Sequence, residues 1–245
     1  MLLALWLRAS FVWPSVVGSI IKASCPPESC TPSGLIGGGV LAAAKSDCLI
    51  DNGSFGDVGA HQTFEWFDVD ADDFVRAFAN LTGSSNVIVP GEADQSSVGV
   101  PSILQVGCGN SVLAEHLYDS GYIDITNVDI REAAIKQMRH RNIGKRDGMS
   151  WHCMDARRLW RFSNESFDVV LDRGTLDHFL AADATPAPYF AELGRVLRQG
   201  GAFVFVSNGI AHQQLMNSDA KWNASGLVEA SFALEAQVTL ASASR

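Results

Sequence analysis

A chain of 245 residues has room for one α/β domain of ordinary size with some tail left over. A hydrophobic fraction of 47% against 18% charged residues supplies a full core and excludes a disordered chain. The net charge of −9 argues against a nucleic-acid surface, which needs clustered Lys and Arg, and is compatible with a basic protein partner.

Met1 to Ile21 is apolar, broken by Arg8 and Pro14, with no acid before Glu28. The run fits a signal peptide, a transit peptide or an N-terminal extension, and its interruptions argue against a membrane-spanning helix. Pro26 to Asn52, rich in Pro, Gly, Ser and Ala, reads as linker. Residues 1–54 are thus expected to be extension and linker, and residues 55–245 the folded domain. The compartment stays open between the cytoplasm and, if the first segment is a transit peptide, an organelle such as the mitochondrion. The five cysteines form no Cys-x-x-Cys pair, which argues against a zinc site or a disulfide framework.

Within the domain, Asp70 to Leu81 puts Phe74, Phe78 and Leu81 on one helical face behind an acidic first turn. Ile103, Leu104 and Val106 then form an apolar run that stops at Gly107-Cys108-Gly109. An amphipathic segment closed by Gly121 follows, and a second apolar run ends on Asp129. Strand, glycine turn, helix, strand and acid are half of a nucleotide-binding βαβ unit. Gly107 and Gly109 allow a sharp turn and close approach of a ligand, and Asn110 or Ser111 can cap the helix. Asp129 lies about 20 residues past the first glycine, where a second strand delivers a carboxylate to a ribose diol. A dinucleotide site would carry a third glycine at the position of Val112, so the cofactor has no pyrophosphate, which points to S-adenosylmethionine.

Further along, Arg131 to His140 reads as a helix with Ala134, Ile135 and Met138 inward. Met149 to Met154 is a short strand leading to Asp155-Ala156, where an Asp before a small residue can also be a turn former. Phe167 to Leu171 is the next strand, followed at once by Asp172-Arg173-Gly174-Thr175. Ligands of parallel sheets lie beyond the carboxyl ends of strands where the strand order reverses, which sets Asp172 beside the reacting end of the cofactor. Its competing reading is a helix cap. Pro188 opens a helix stopped by Gly200-Gly201, Ala202 to Val206 is a strand, and Phe232 to Leu240 is one last strand candidate.

VGCGNSVLAEHLYDSGYIDITNVDI (Val106 to Ile130), IKQM (Ile135 to Met138) and LDRGTLDHF (Leu171 to Phe179) carry a specific resemblance. Together they resemble the seven-strand S-adenosylmethionine-dependent methyltransferases of the methyltransferase-like group, which modify lysines in translation elongation factor and in mitochondrial citrate synthase. The resemblance spans roughly Phe55 to Asn208. It implies a doubly wound, Rossmann-like α/β sheet with an incomplete C-terminal edge, since two closing strands are usual and one candidate remains. It implies S-adenosylmethionine held by Gly107, Cys108, Gly109, Asn110, Asp129, Ile130, Asp155, Ala156 and Asp172. It implies Asp172 and Trp66 as the catalytic pair orienting a lysine amine, with Phe64, Trp66 and Asp177 meeting the substrate from an aromatic lead-in and the segment after Asp172. The lead-in is shorter than usual, with only Gly59 to Thr63 joining Phe55-Gly56-Asp57-Val58 to Phe64-Glu65-Trp66-Phe67.

The activity implied is methyl transfer to a protein lysine by in-line displacement, which needs no metal. Three other readings remain open at this level: a small-molecule methyltransferase, a degenerate non-catalytic binding protein, and a nucleotide-dependent dehydrogenase. An enclosed acceptor pocket, absence of cofactor binding and a hydride-handling site would mark each in turn.

Overall fold

In the computed structural model the described residues are 18–24, 63–65, 71–82, 99–181, 187–207 and 233–240. The apolar runs pair into one sheet: β1 (Gly18–Ser24), β2 (Ile103–Val106), β3 (Ile125–Asp129), β4 (Met149–Cys153), β5 (Phe167–Arg173), β6 (Leu197–Ser207) and β7 (Ala233–Leu240). Its order is β4-β3-β2-β5-β6-β1-β7. The first five of these strands run parallel, β1 is antiparallel to β6, and β7 is antiparallel to β1.

All four residues of β2 are buried because the sheet is covered on both faces. One face carries Ile103, Ile125, Val169 and Leu171 against α1 (Ala71–Thr82), α2 (Leu113–Asp119) and α3 (Glu132–Asn142), through Phe74, Phe78, Leu113, Leu117, Ile135 and Met138. The opposite face carries Leu104, Val106, Val170, Phe203 and Phe205 against α4 (Thr175–Ala181) and α5 (Ala187–Val196), through Leu176, Tyr189, Phe190 and Leu193. Alternate residues of each central strand therefore feed two separate cores, as the period of two requires. The doubly wound, Rossmann-like expectation is met.

Two elements depart from the sequence expectation. The helix before β6 ends at Val196, and Leu197 already pairs with Phe167; Gly200 and Gly201 lie inside the strand. The register shifts between Phe167 and Val169, and Gly200 at φ +75° takes up the surplus residues. The second departure concerns the closing strands. β7 is the strand expected over Phe232 to Leu240, and the antiparallel strand beside it is β1, drawn from the stretch read as N-terminal extension. The linker, the Phe55 to Val58 piece, Trp66 and Phe67 lie outside the described residues.

Candidate active site

The chain runs outward from β2 through β3 to β4, then returns to β5 on the other side of β2. The strand order thus reverses between β2 and β5, and the turns leaving those two strands border one crevice. On the β2 side, Gly107 and Gly109 have φ of +61° and +54°, a left-handed conformation that side chains disfavour. Their reasons differ. A Cβ on Gly107 would stand 1.8 Å from Thr175 Oγ1 at the start of α4, whose hydroxyl donates to the Val106 carbonyl at 3.2 Å. A Cβ on Gly109 would meet only the end of the Arg131 side chain, at 3.3 Å. Gly107 is therefore required by packing across the crevice, whereas Gly109 lies on the open side of the turn.

Asp129, at the end of β3, braces this turn. Its Oδ2 accepts from the Gly109 amide at 2.7 Å and its Oδ1 from the Arg131 amide at 2.8 Å, with the Arg131 guanidinium 3.6 Å away. A carboxylate oxygen has two lone pairs, so each retains one for a further donor. A diol is a matching donor set. The Ile130 carbonyl lies 3.4 Å from the Cys153 sulfur, so residue 130 sits over the end of β4. Cys153 is itself disulfide-bonded. Cys108, expected at the cofactor, turns its side chain into the core, and burial, assisted by the Asp129 charge, pushes its thiol pKa well up. Only its backbone is available to a ligand. Asn110 is buried beside the turn.

Asp155 and Ala156 follow β4, with Ala156 buried against the second core. Burial alone would raise the Asp155 pKa, but the Arg157 side chain and amide bond to it and hold it below the usual carboxylate range. Both its oxygens are engaged by Arg157, which is exposed, so the pair can open to a competing donor.

On the β5 side, Asp172 does not face the crevice. It is 0% exposed; Oδ1 accepts from the Thr175 amide at 2.7 Å, and Oδ2 from the Leu176 amide at 2.8 Å and the Tyr189 hydroxyl at 2.5 Å. The carboxylate caps α4 and ties it to α5, the competing reading given to it above. Burial is the main cause that lifts its pKa to about 7, and the Asp177 charge adds to it against the three hydrogen bonds. Asp177 itself is half-buried on α4. Phe64 is exposed in the short described piece of the lead-in, while Trp66 cannot be placed because it lies outside the described residues.

Sequence reasoning missed Glu65. Its Oε1 accepts from the Val112 amide at 2.7 Å, and its Oε2 accepts from Ser111 Oγ at 2.8 Å and from the Arg173 guanidinium. Its chain distance from all three partners hid it; only the unbroken Phe-Glu-Trp-Phe string marked the place.

Residues 104–205 match the protein-family model described as Methyltransferase domain. The match takes in the glycine turn, Asp129, Asp155 and Asp172. Among characterised proteins, this chain aligns with the "eEF1A lysine and N-terminal methyltransferase" of Bos taurus at 47% identity over 115 residues, covering 45% of this chain and 16% of that protein. The Homo sapiens protein of the same name is 45% identical over 115 residues, with the same two shares. The "EEF1A lysine methyltransferase 4" of Mus musculus is 34% identical over 123 residues, 45% of this chain and 47% of that one. The alignment thus spans less than half the length of each of these three relatives.

Proposed function

We propose that this chain is an S-adenosylmethionine-dependent methyltransferase that transfers a methyl group to a lysine amine of a protein. The observation that carries the reading is Asp129, braced on the Gly109 turn at the reversal of strand order, with acceptor capacity left for a ribose diol. The relatives' names, which specify lysine and N-terminal methylation of an elongation factor, support a protein amine as acceptor. The acidic chain, at −9, suits a basic protein substrate.

In this reading the Gly107-Cys108-Gly109-Asn110 backbone cradles the amino-acid end of the cofactor and Asp129 takes the ribose hydroxyls. Asp155 accepts from the adenine amino group once Arg157 swings away, and Ile130 and Ala156 wall the base. The bound cofactor supplies a sulfonium methyl group, open to in-line attack by a neutral amine. What the chain adds is alignment and exclusion of water. Asp172 acts from behind, holding the start of α4 so that Asp177 is presented to the substrate side. Phe64 and Trp66 flank the incoming lysine chain, where an aromatic face favours the positive charge that develops on nitrogen.

The test is calorimetric titration of the full chain with S-adenosylmethionine beside an Asp129→Ala variant. It is followed by incubation with elongation factor and mass spectrometry of its lysine peptides. Binding lost in the variant and methylated lysines in the product are expected. A folded wild-type chain that binds no cofactor refutes the reading.

A further inference from the structure

The loop between β4 and β5 carries charge of the opposite sign to the chain as a whole. Residues 152–161 hold three arginines, Arg157, Arg158 and Arg161, against one acid, Asp155, in a protein whose net charge is −9. Asp155 is already matched by Arg157 at 2.6 Å. Among the described residues β4 ends the sheet, so this loop and the last turn of α3 flank an outer edge. From α3, Arg139 crosses to that edge and donates to the Trp151 carbonyl at 2.5 Å. Burial first, and then the Arg161 and Arg139 charges, depress the pKa of His152 on β4. Two guanidinium groups thus act on one imidazole from two elements, and neither forms an ion pair among the described residues. Trp160 stands beside them, 59% exposed, with the Arg161 guanidinium 4.9 Å from its ring centre.

The loop is clamped from behind. Arg195 of α5 donates to the Leu159 carbonyl at 2.9 Å and to the Phe162 carbonyl at 2.7 Å, and Glu192 accepts from the Leu159 amide at 2.5 Å. Phe162 meets His152 and Phe167 edge-on, with ring centres 5.7 and 5.2 Å away. Trp160 and Arg161 therefore leave the surface from a segment fixed on both sides, which lowers the ordering cost of binding. Arg157 joins this patch to the crevice, its guanidinium 5.5 Å from the ring centre of Phe179 on α4.

Exposed Trp and Arg are the residues in which binding energy concentrates at protein interfaces. Guanidinium groups recognise carboxylates by paired hydrogen bonds, and an indole offers its apolar face to a neighbouring side chain. A polynucleotide fits less well, because it needs a longer track of cations and a chain at −9 repels a polyanion before contact. We propose that Trp160, Arg161 and Arg139 form a docking surface for an acidic segment of the protein substrate, one that carries an aromatic residue among its carboxylates. That the docked protein is the substrate rests on the methyltransferase reading; the surface itself does not. Held there, the substrate lies beside Asp155 and α4, and its acidic segment selects it from other proteins that expose lysine.

The experiment uses the full chain as wild type, Arg161→Glu and Trp160→Ala, both changes at exposed positions. Fluorescence anisotropy is read with three labelled probes: an Asp/Glu-rich peptide with one central Phe, the same peptide with Lys in place of each acid, and poly(U) RNA. The acidic peptide is expected to bind wild type, and more weakly as salt rises. Its affinity is expected to fall about tenfold in Arg161→Glu and about fivefold in Trp160→Ala. With elongation factor as methyl acceptor, both variants are expected to raise KM and to leave kcat and S-adenosylmethionine affinity unchanged. Acidic-peptide binding equal in wild type and variants, or either other probe bound as tightly, overturns the proposal. A KM that neither variant moves overturns it as well. A wild type that binds the acidic peptide through Trp160 and Arg161 but takes up no S-adenosylmethionine leaves the docking surface standing and sinks the methyltransferase reading instead.

Discussion

Gly107→Ala tests the strictest steric requirement in the crevice. The new Cβ would sit 1.8 Å from Thr175 Oγ1 and 3.0 Å from Thr175 Cβ, at a backbone φ of +61°. Holding alanine in that left-handed conformation costs about 1–2 kcal/mol. Turning the threonine away gives up its bond to the Val106 carbonyl, about 1 kcal/mol. Pushing α4 aside adds the cost of overpacking, about 1–3 kcal/mol. The total is about 3–6 kcal/mol, a large share of the stability of one domain. Urea unfolding of the full chain followed by tryptophan fluorescence reads it as a lowered midpoint at unchanged slope. Thr175→Ala removes the offending oxygen, so the double variant recovers the overpacking share and keeps the backbone strain. A positive coupling of about 1–3 kcal/mol is expected from the double-mutant cycle. Additive losses, or a Gly107→Ala variant as stable as Gly109→Ala, would refute the reasoning, because Gly109 faces only the movable end of Arg131.

Asp172 has a pKa raised to about 7, so the folded state holds its proton where the unfolded chain has lost it. Its contribution is fully present below roughly pH 4, the unfolded value, and is lost as pH rises through about 7; Asp172→Asn should flatten that part of the stability curve, and parallel curves would count against it. Glu115, 5% exposed, joins Arg141 at 2.6 Å and Arg146 at 3.3 Å and accepts from Asn142 Nδ2 at 3.2 Å. Both arginines can reach water, so Glu115→Gln should cost about 1–3 kcal/mol by urea unfolding rather than the full penalty of a stranded buried charge. Arg157→Ala removes a part-exposed pair with Asp155, so the unfolding free energy should fall by less than about 1 kcal/mol. Calorimetry should at the same time show a severalfold tighter cofactor, since Asp155 no longer has to be released; weaker binding would place Arg157 on the cofactor instead.

The parts of the fold that could be read from the chain are those written in a few consecutive residues. β2, the glycine turn, α2 and β3 each carry their own signal in apolar periodicity, a missing Cβ or a terminal acid, and so Asp129 is where it was expected. Asp172 shows the limit of such reading. It stands inside β5, one residue before its end, rather than after the strand; a local pattern cannot say which way a carboxylate points, and three donors from Thr175, Leu176 and Tyr189 claim it for the interior. Cys108 likewise belongs to the turn by sequence and to the core by side chain. Glu65 and β1 stayed hidden for a common reason: their partners lie far along the chain, and neither periodicity nor spacing reports a contact between distant segments. An apolar stretch near the start, with one arginine and one proline in it, looks the same whether it is a targeting segment or a strand awaiting its neighbours.

The position of β1 bears on how the chain reaches its fold. It is the earliest described strand to leave the ribosome, yet both of its neighbours, β6 and β7, are encoded near the other end. The parallel half of the sheet can assemble as its strands emerge, whereas β1 must wait, unpaired, until β6 has followed it out. Pairings so distant in sequence close slowly, and an unpaired strand edge invites other chains meanwhile. Folding should therefore finish with β1 and β7, and the yield of native protein should depend on how well β1 is sheltered until its two partners arrive.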